Sequence, residues 1–224
     1  MRVPARYDGI ADWYDQNIAR YSTAATPFLL RLTGTGPGRC LDVGCGTGIH
    51  LAALADAGWS VTGLDTSADQ LRVARQRAGP LPTALVQGDA ARLPFAAACF
   101  DVVASAFTHT DMDDFTVLAR EVRRVLQPNG RFVYVGLHPC FTGPFAEPPR
   151  QDGALVIHPG YRQAGWRTSG PAVIEDGLTS RVGFHHLPLA GVLNSVLEAG
   201  LRLHHVEEGG TREVPDWLAF VARC

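Results

Sequence analysis

The feature that most constrains the fold is a regular alternation of short apolar runs and helical patterns, which begins at residue 39. Five runs rich in β-branched residues and two closing runs are found at 39–43, 59–64, 83–87, 100–105, 131–137, 201–207 and 217–223. Strands that alternate with helices along a chain form parallel sheets with helices on both faces. The alternation therefore predicts an α/β fold with a doubly wound, mostly parallel sheet of seven strands.

The helical patterns define the rest of this domain. The clearest covers 113–126, where apolar residues recur three or four apart and the Pro and Gly of "QPNG" follow. A second pattern at 188–199 ends at Gly200, and a third covers 8–20. We expect one domain over 1–224, in which residues 1–38 form an N-terminal helical cap.

Residues 141–182 lack any periodicity. Eleven Pro and Gly residues interrupt this segment, and aromatic side chains such as Phe141, Phe145, Tyr161 and Trp166 are scattered through it. Long irregular segments inside compact domains often serve as lids or binding loops. We therefore expect 141–186 to be a lid that follows the fifth strand and covers a binding site.

Composition excludes several classes of function. The chain has 224 residues with 20 basic and 22 acidic side chains, so a net charge of −2 gives no general attraction to nucleic acid or acidic membranes. Every basic residue is Arg, which excludes Schiff-base lysines and the lysine of a phosphate-binding loop. The five Cys contain no C-x-x-C pair, and the charged N-terminus does not resemble a secretory signal. We expect a cytoplasmic, soluble monomer or homodimer without membrane or nucleic-acid partners.

The stretch "RCLDVGCGTGIH" at 39–50 predicts a ligand-binding turn. Its glycines, Gly44, Gly46 and Gly48, have the spacing G-x-G-x-G, whereas a dinucleotide turn has its third small residue where Ile49 stands here. The nicotinamide fingerprint is therefore absent. There remains a strand that contains Asp42, followed by a glycine turn at the carboxyl edge of the sheet, where α/β proteins bind ligands.

An ordered series of motifs follows this turn. After "LDVGCGTG" come "GLDTS" at 63–67, "GDAARLPF" at 88–95, "FDVVAS" at 100–105, and then "LQPNGRFVYV" leading into the fifth strand. With these motifs the chain resembles the class I S-adenosylmethionine-dependent methyltransferases, and in particular a small-molecule branch that includes quinone-biosynthesis enzymes. The resemblance implies a Rossmann-like fold, S-adenosylmethionine as cofactor, and methyl transfer to an oxygen, nitrogen or carbon atom of a small, partly apolar acceptor.

The resemblance also implies which residues contact the cofactor. The three glycines would let the backbone approach its sulfonium end, Asp65 would accept both ribose hydroxyls, and Asp89 would accept the adenine amino group. The other implied contacts come from Tyr14, Asp42, Cys45, Thr66, Gln70, Gly88, Ala90, Ser105 and Ala106. The simpler alternatives are a helix cap for Asp65, a turn residue for Asp89 and core packing for Tyr14.

Candidates for a general base are harder to rank. His109 and His138 follow the fourth and fifth strands, and His185 lies beside His186 at the end of the predicted lid. Each of these histidines has an alternative role in local hydrogen bonding. The acidic group Asp111, Asp113 and Asp114 suggests a divalent metal, but its position at a helix start favours capping, so we expect no metal. Cys140 has no identifiable catalytic partner and is interpreted as a small buried residue.

Two other functions remain open at this level. One is a protein of the same fold that uses the cofactor to promote a non-methylating reaction such as cyclisation or isomerisation. The other is a nucleic-acid or protein methyltransferase. The acidic charge balance argues against nucleic acid, as does "SAFTHT" after the fourth strand, where amino-methylating DNA enzymes carry Asn or Asp followed by two prolines and an aromatic residue.

Overall fold

A central sheet of seven strands organises the protein in the computed structural model, which describes residues 5–79, 83–150 and 152–224. The strands are β1 (Arg39–Val43), β2 (Ser60–Asp65), β3 (Ala84–Gln87), β4 (Phe100–Ala106), β5 (Leu126–Leu137), β8 (Arg202–Gly209) and β9 (Trp217–Arg223). Their order is β3-β2-β1-β4-β5-β9-β8. Strands β1 to β5 are parallel, and β9 is antiparallel to both of its neighbours. The predicted fold class is confirmed.

Helices cover both faces of this sheet. They are α1 (Ala11–Asn17), α2 (Ala19–Ala24), α3 (Thr26–Thr33), α4 (Leu51–Asp56), α5 (Ala68–Ala78), α6 (Phe115–Val125), α7 (Leu178–Val182) and α8 (Leu189–Glu198). Helices α6 and α8 pack in the apolar core on one face, while α3, α4 and α5 contribute to the core on the other. Within the described part of the chain, no helix has the length and hydrophobicity needed to cross a membrane.

Strand β5 shows why the core has two halves. Successive side chains of a strand point to opposite faces, so Phe132 and Tyr134 enter one core while Val133 and Val135 enter the other. Helix α6 buries the apolar stripe that its sequence predicts, including Phe115 and Val122. Because the order of the parallel strands reverses between β1 and β4, a crevice forms at their carboxyl ends.

Two elements differ from the sequence pattern. The helix predicted over 8–20 is interrupted at Ile18, where φ is −113°, and continues as α2. Strand β5 begins at Leu126 rather than at residue 131, because the "QPNG" segment forms an irregularity in its pairing with β4 instead of a separate turn. Asn129 has a φ of 67° within this irregularity.

The segment 141–186 contains short elements of its own. Strands β6 (Gly165–Arg167) and β7 (Phe184–His186) form a two-stranded antiparallel sheet, and α7 lies between them in the chain. An isolated bridge joins Ala146 to Ile157. Strands of three residues are too short to produce a recognisable alternation in sequence, which explains why this segment has no visible periodicity.

Candidate active site

A cavity of about 250 Å³ opens at the carboxyl ends of the central strands. Its walls come from the N-terminal segment, from the loops that follow β1 to β4, from β5 and from α7. Its lining residues include Tyr7, Tyr14, Ile18, Tyr21, Gly44, Gly46, Asp65, Thr66, Gln70, Gly88, Asp89, Ala90, Ala106, Phe107, Thr108, Thr110, Asp111, Met112, Leu137 and Leu178. The cavity therefore lies at the switch point where α/β sheets bind ligands.

The glycine loop after β1 requires its glycines. Gly44 has a φ of 72°, and a Cβ there would lie 2.3 Å from Cγ2 of Thr108. Gly46 has a φ of 52° and faces more open space, since the nearest atom to an added Cβ is Oε1 of Gln70 at 3.6 Å. The loop thus brings bare backbone to the cavity wall, as close approach of a ligand requires.

Asp65 connects three parts of the site. Its Oδ2 accepts a hydrogen bond from the N–H of Gly46 and its Oδ1 accepts one from the N–H of Ser67, both at 2.9 Å. The cap of α5 is Ser67, whose hydroxyl oxygen accepts from the N–H of Gln70. Asp65 is therefore not the cap of α5. Because a carboxylate oxygen can accept more than one hydrogen bond, each oxygen can also receive one from a ligand.

Asp89 has a turn role and also lies at the cavity wall. Its Oδ1 accepts from the N–H of Ala91 at 2.8 Å, which is ordinary turn chemistry. Asp89 also lines the cavity together with Gly88 and Ala90. The turn fixes the carboxylate at the cavity edge and leaves Oδ2 able to accept from a bound molecule.

Buried polar groups without a protein partner concentrate beside the glycine loop. Among the described residues, both carboxylate oxygens of Asp42 and both amide atoms of Gln70 are buried without a hydrogen bond. Burial, with the charge of Asp65 second, raises the pKa of Asp42 to about 7. Unsatisfied buried groups cost free energy and often mark ligand sites.

Ten of the fourteen predicted cofactor residues line the cavity. These are Tyr14, Gly44, Gly46, Asp65, Thr66, Gln70, Gly88, Asp89, Ala90 and Ala106. The other four, Asp42, Cys45, Gly48 and Ser105, lie behind its wall. Ser105 donates to the carbonyl of Val43 at 3.0 Å and so fastens β4 to the end of β1. Direct contact with the cofactor stays a prediction for all fourteen.

None of the three candidate histidines is among the lining residues. His109 is buried, with Nδ1 bonded to the hydroxyl of Tyr134 and its ring near Phe115 and Phe184. Burial, with the nearby His186 and His185 next, lowers the pKa of His109 to about 3. This imidazole is consequently neutral at physiological pH.

His138 and His185 are also held by local contacts. Nδ1 of His138 accepts from the N–H of Cys140 at 3.2 Å, which assigns the ring proton to Nε2, and Nε2 donates to Glu208 at 2.7 Å. His185 packs against Trp166, with 5.4 Å between ring centroids, and its buried Nδ1 has no hydrogen bond. A catalytic role for any of the three histidines stays a prediction.

The site includes residues that the sequence did not single out. Phe107 at the end of β4 has left-handed backbone geometry, with a φ of 61°, which is uncommon for a bulky residue. A short 3-10 helix over Thr108–Asp111 follows. Its residues Thr108, Thr110 and Asp111 line the cavity, whereas His109 enters the core. The turn at Phe107 thus explains why Asp111 reaches the cavity and His109 does not.

Asp111 is paired with a tyrosine from the N-terminal segment. The hydroxyl of Tyr7 donates to Oδ1 of Asp111 at 2.9 Å, and the ring of Tyr7 packs edge-on against that of Tyr14. A sequence signal for this pair is weak, because residues 7 and 111 approach each other only in the fold. In the part of the chain that the structure describes, no group of three His, Cys, Asp or Glu residues is arranged to hold a metal ion.

Two segments, called covers below, each contribute to the cavity wall and contact each other. The first, residues 5–24, is fastened to α5 where Oδ2 of Asp69 accepts from the N–H groups of Gly9 and Ala11. The second is the insertion 141–186. Arg6 lies 3.6 Å from the ring centroid of Trp166, and Arg181 lies 4.6 Å from that of Trp13. Each cover thus offers one arginine and one tryptophan to the other.

Comparisons with known proteins agree with this geometry. A family model described as "Methyltransferase domain" matches residues 41–134. The demethylmenaquinone methyltransferase of Renibacterium salmoninarum is 36% identical over 149 residues, which are 64% of this chain and 62% of that protein. The enzyme of the same name from Mycobacterium marinum is 35% identical over 139 residues, which are 58% of this chain and 57% of that protein. The chain thus spans about three fifths of the length of these curated relatives.

A solved structure extends the similarity over most of the chain. It is an S-adenosylmethionine-dependent methyltransferase from Mesorhizobium loti, which is 27% identical, covers 90% of this chain and 98% of its own length, and has a TM-score of 0.75. The predicted resemblance is confirmed. The sheet order, the glycine loop and these matches show that the chain is similar to the class I S-adenosylmethionine-dependent methyltransferases.

Proposed function

We propose that this chain transfers the methyl group of S-adenosylmethionine to a small, partly apolar acceptor. The observation that carries the proposal is the composition of the cavity at the carboxyl ends of the central strands. One end contains the glycine loop, Asp65 and Asp89, whereas the remaining wall is largely aromatic and aliphatic, with Phe107, Leu137 and Leu178 among its residues. A polar cofactor and an apolar acceptor would therefore share one enclosed space.

The residues present suit the cofactor. The uncrowded backbone at Gly46, the free lone pairs of Asp65 and the unpartnered amide of Gln70 match the polar groups of its ribose and methionine portions. Asp89 and the N–H of Ala90 are suited to the edge of the adenine. When bound, the cofactor supplies an electrophilic methyl group on a sulfonium.

The protein's contribution is to position the acceptor and to exclude water. An in-line displacement gains most from correct orientation of the two reactants. The covers 5–24 and 141–186 contact each other and both contribute to the cavity wall, which supports a closed reaction chamber. Their opening would admit the acceptor and release the methylated product.

The names of the relatives support one acceptor class. Two curated relatives are named demethylmenaquinone methyltransferases, and the aromatic rings in the cavity wall suit a flat aromatic acceptor. We therefore propose a hydroxylated aromatic ring with an apolar substituent. Because the match covers only about three fifths of the length of those relatives, several acceptors need to be tested.

The direct test is transfer of label from methyl-labelled S-adenosylmethionine. The acceptors are a reduced demethylnaphthoquinone, a panel of simple phenols, and a total extract containing RNA and protein. We expect label in a small product that partitions into organic solvent. Asp65→Ala should reduce this label, while Asp56→Ala, which removes an exposed carboxylate on α4, should not. Label in acid-precipitable material would indicate a macromolecular acceptor, and conversion of an acceptor without transfer of label would indicate a non-methylating reaction; either result contradicts the proposal.

A further inference from the structure

The cavity wall contains one carboxylate that the cofactor motifs do not explain, that of Asp111. Its Oδ1 accepts a hydrogen bond from the hydroxyl of Tyr7 at 2.9 Å, and both side chains line the cavity. Among the described residues, no other hydrogen bond reaches this carboxylate. Its Oδ2 is therefore able to accept a proton or a hydrogen bond from a molecule in the cavity.

Asp111 differs from the two acidic residues that follow it. Asp114 caps α6 by accepting from the N–H of Thr116 at 2.8 Å, and Asp113 is exposed and bonded to the indole N–H of Trp166. Asp111 neither caps a helix nor joins the two covers. Since a carboxylate in an aromatic wall loses hydration, its presence there without such a structural role is typical of a functional group.

The backbone shortly before Asp111 is strained at Phe107, where φ is 61°. Left-handed geometry at a phenylalanine costs free energy and persists where the surrounding structure enforces it. Here the turn at Phe107 directs the next residues so that Asp111 faces the cavity and Tyr7 can reach it. Strained residues of this kind cluster at active sites.

The surroundings of Asp111 adjust its protonation. Burial raises the pKa of Asp111 to about 7, the hydrogen bond from Tyr7 opposes this rise, and the charge of Asp65 adds to it. The ionisable groups that face Asp111 are Arg6 and Tyr7 before α1, Tyr14 on α1, Asp65 at the end of β2, and Tyr134 on β5. A carboxyl group with a pKa near neutrality exchanges protons readily at the pH of most cells, as a general base requires.

We propose that Asp111 accepts the proton that the acceptor loses during methyl transfer, and that Tyr7 is the positioning residue that holds this carboxylate. This inference rests on the methyltransferase function proposed above. The acceptor oxygen forms a bond to the methyl carbon while the bond from sulfur to that carbon breaks, and the electron pair of the broken bond stays on sulfur. The O–H bond of the acceptor also breaks, its electron pair stays on oxygen, and the proton moves to Asp111. The resulting carboxylic acid returns the proton to solvent after the product leaves.

The basicity of Asp111 indicates which class of hydroxyl group can be methylated. A phenol such as that of tyrosine ionises near a pKa of about 10, roughly three units above Asp111, so a carboxylate can take its proton as the new bond forms. Aliphatic alcohols are far weaker acids and would need a stronger base. The rings of Tyr14, Tyr21 and Phe107 in the wall also suit a flat aromatic molecule. The acceptor is therefore a phenol or an enol rather than an aliphatic alcohol.

A spectroscopic titration tests this role without knowledge of the natural acceptor. The protein is saturated with S-adenosylhomocysteine, binding is verified by calorimetry, and 4-nitrophenol is added as a probe whose phenolate absorbs visible light. The pH at which the bound phenolate appears is compared between the wild type, Asp111→Asn and the matched control Asp114→Asn. Asparagine is a good helix cap, so the control variant should retain its fold.

In the wild type, the neighbouring carboxylate should disfavour the bound phenolate and shift its appearance to higher pH. We expect the acid ionisation constant of the bound probe to be about tenfold lower in the wild type than in Asp111→Asn, or lower still. This is the scale of the effect of a like charge at hydrogen-bond distance. Asp114→Asn should match the wild type. Tyr7→Phe should also change the titration, because it removes the hydrogen bond that lowers the pKa of Asp111; a merely structural Tyr7 would leave the titration unchanged.

Three results would overturn the inference. The first is an equal titration in the wild type and Asp111→Asn, which would remove Asp111 from contact with the phenol. The second is failure of 4-nitrophenol to bind the complex with S-adenosylhomocysteine, which would reject the phenol class while leaving cofactor binding and label transfer intact. The third is failure of S-adenosylhomocysteine itself to bind, which would also reject the proposed function and is detected before the probe is added.

Discussion

Asp65 at the end of β2 accepts a hydrogen bond from the backbone N–H of Gly46 at 2.9 Å, so one side chain joins the second strand to the glycine loop of the first. The same carboxylate accepts from Ser67, the residue that caps α5. The conformation of the glycine loop and the orientation of the carboxylate therefore depend on each other. Both are in place before a ligand arrives, which lowers the ordering cost of binding.

The first prediction concerns this carboxylate. Asp65→Ala should weaken S-adenosylmethionine binding by about 1.5–3 kcal/mol, the scale of hydrogen bonds to charged groups, and the variant should remain folded. Calorimetry measures the affinity and thermal unfolding checks the fold. Asp56→Ala is the control. If Asp65→Ala binds S-adenosylmethionine with the affinity of the wild type, Asp65 does not contact the cofactor.

The second prediction concerns the contact between the glycine loop and the 3-10 helix. A Cβ at Gly44 would lie 2.3 Å from Cγ2 of Thr108, so Gly44→Ala should destabilise the protein by roughly 2–4 kcal/mol, combining overpacking with left-handed backbone strain. Thr108→Ser deletes Cγ2 and keeps the hydroxyl. The double variant should therefore recover about 1 kcal/mol or more relative to the sum of the single variants. If denaturant unfolding shows that the losses of unfolding free energy in the two single variants simply add in the double variant, the contact with Thr108 is not what excludes a side chain at position 44.

The third prediction is a pH dependence of stability. Burial raises the pKa of Asp42 to about 7 from an ordinary value of 3.8. Between these values the folded state binds more protons than the unfolded state at this residue, so its contribution to stability falls as pH rises. Relative to the wild type, Asp42→Asn should thus gain stability between pH 5 and pH 8, on the order of 2–3 kcal/mol. The measurement is urea unfolding of the ligand-free protein, and a pH-independent difference would show that Asp42 titrates normally.

The fourth prediction concerns the two covers. Because Arg6 lies over Trp166 and Arg181 lies over Trp13, loosening one cover should loosen the other. Trp166→Ala should increase hydrogen exchange in residues 5–24 as well as in 141–186. Ile174→Ala, an exposed apolar residue of the same insertion, is the control. Faster exchange confined to 141–186 would show that the covers open independently.

The sheet could be predicted because each of its strands carries a local signal. The runs at 39–43 and 217–223 match β1 and β9, and the apolar stripe at 113–126 yields α6 within two residues of each end. The glycine loop, Asp65 and Asp89, which we propose to bind the cofactor, were predictable for the same reason, since these residues follow strand ends in a fixed order.

The part of the cavity that we propose for the acceptor is formed by long-range contacts, which produce little local signal in the sequence. Tyr7 and Asp111 are 104 residues apart in sequence and meet only after the N-terminal segment closes over the sheet. The left-handed turn at Phe107 determines that Asp111 faces the cavity while His109 enters the core. No propensity scale predicts such geometry at a phenylalanine, so the histidine appeared the better candidate from sequence alone.

Calorimetric titration of the ligand-free protein with S-adenosylmethionine, S-adenosylhomocysteine and NAD tests whether the glycine loop and Asp65 bind the proposed cofactor. We expect micromolar or tighter binding of the first two compounds, with heat that diminishes strongly in Asp65→Ala, and no measurable binding of NAD. Binding of NAD without binding of S-adenosylmethionine would contradict the proposed function, because the glycine loop and Asp65 would then bind a different cofactor.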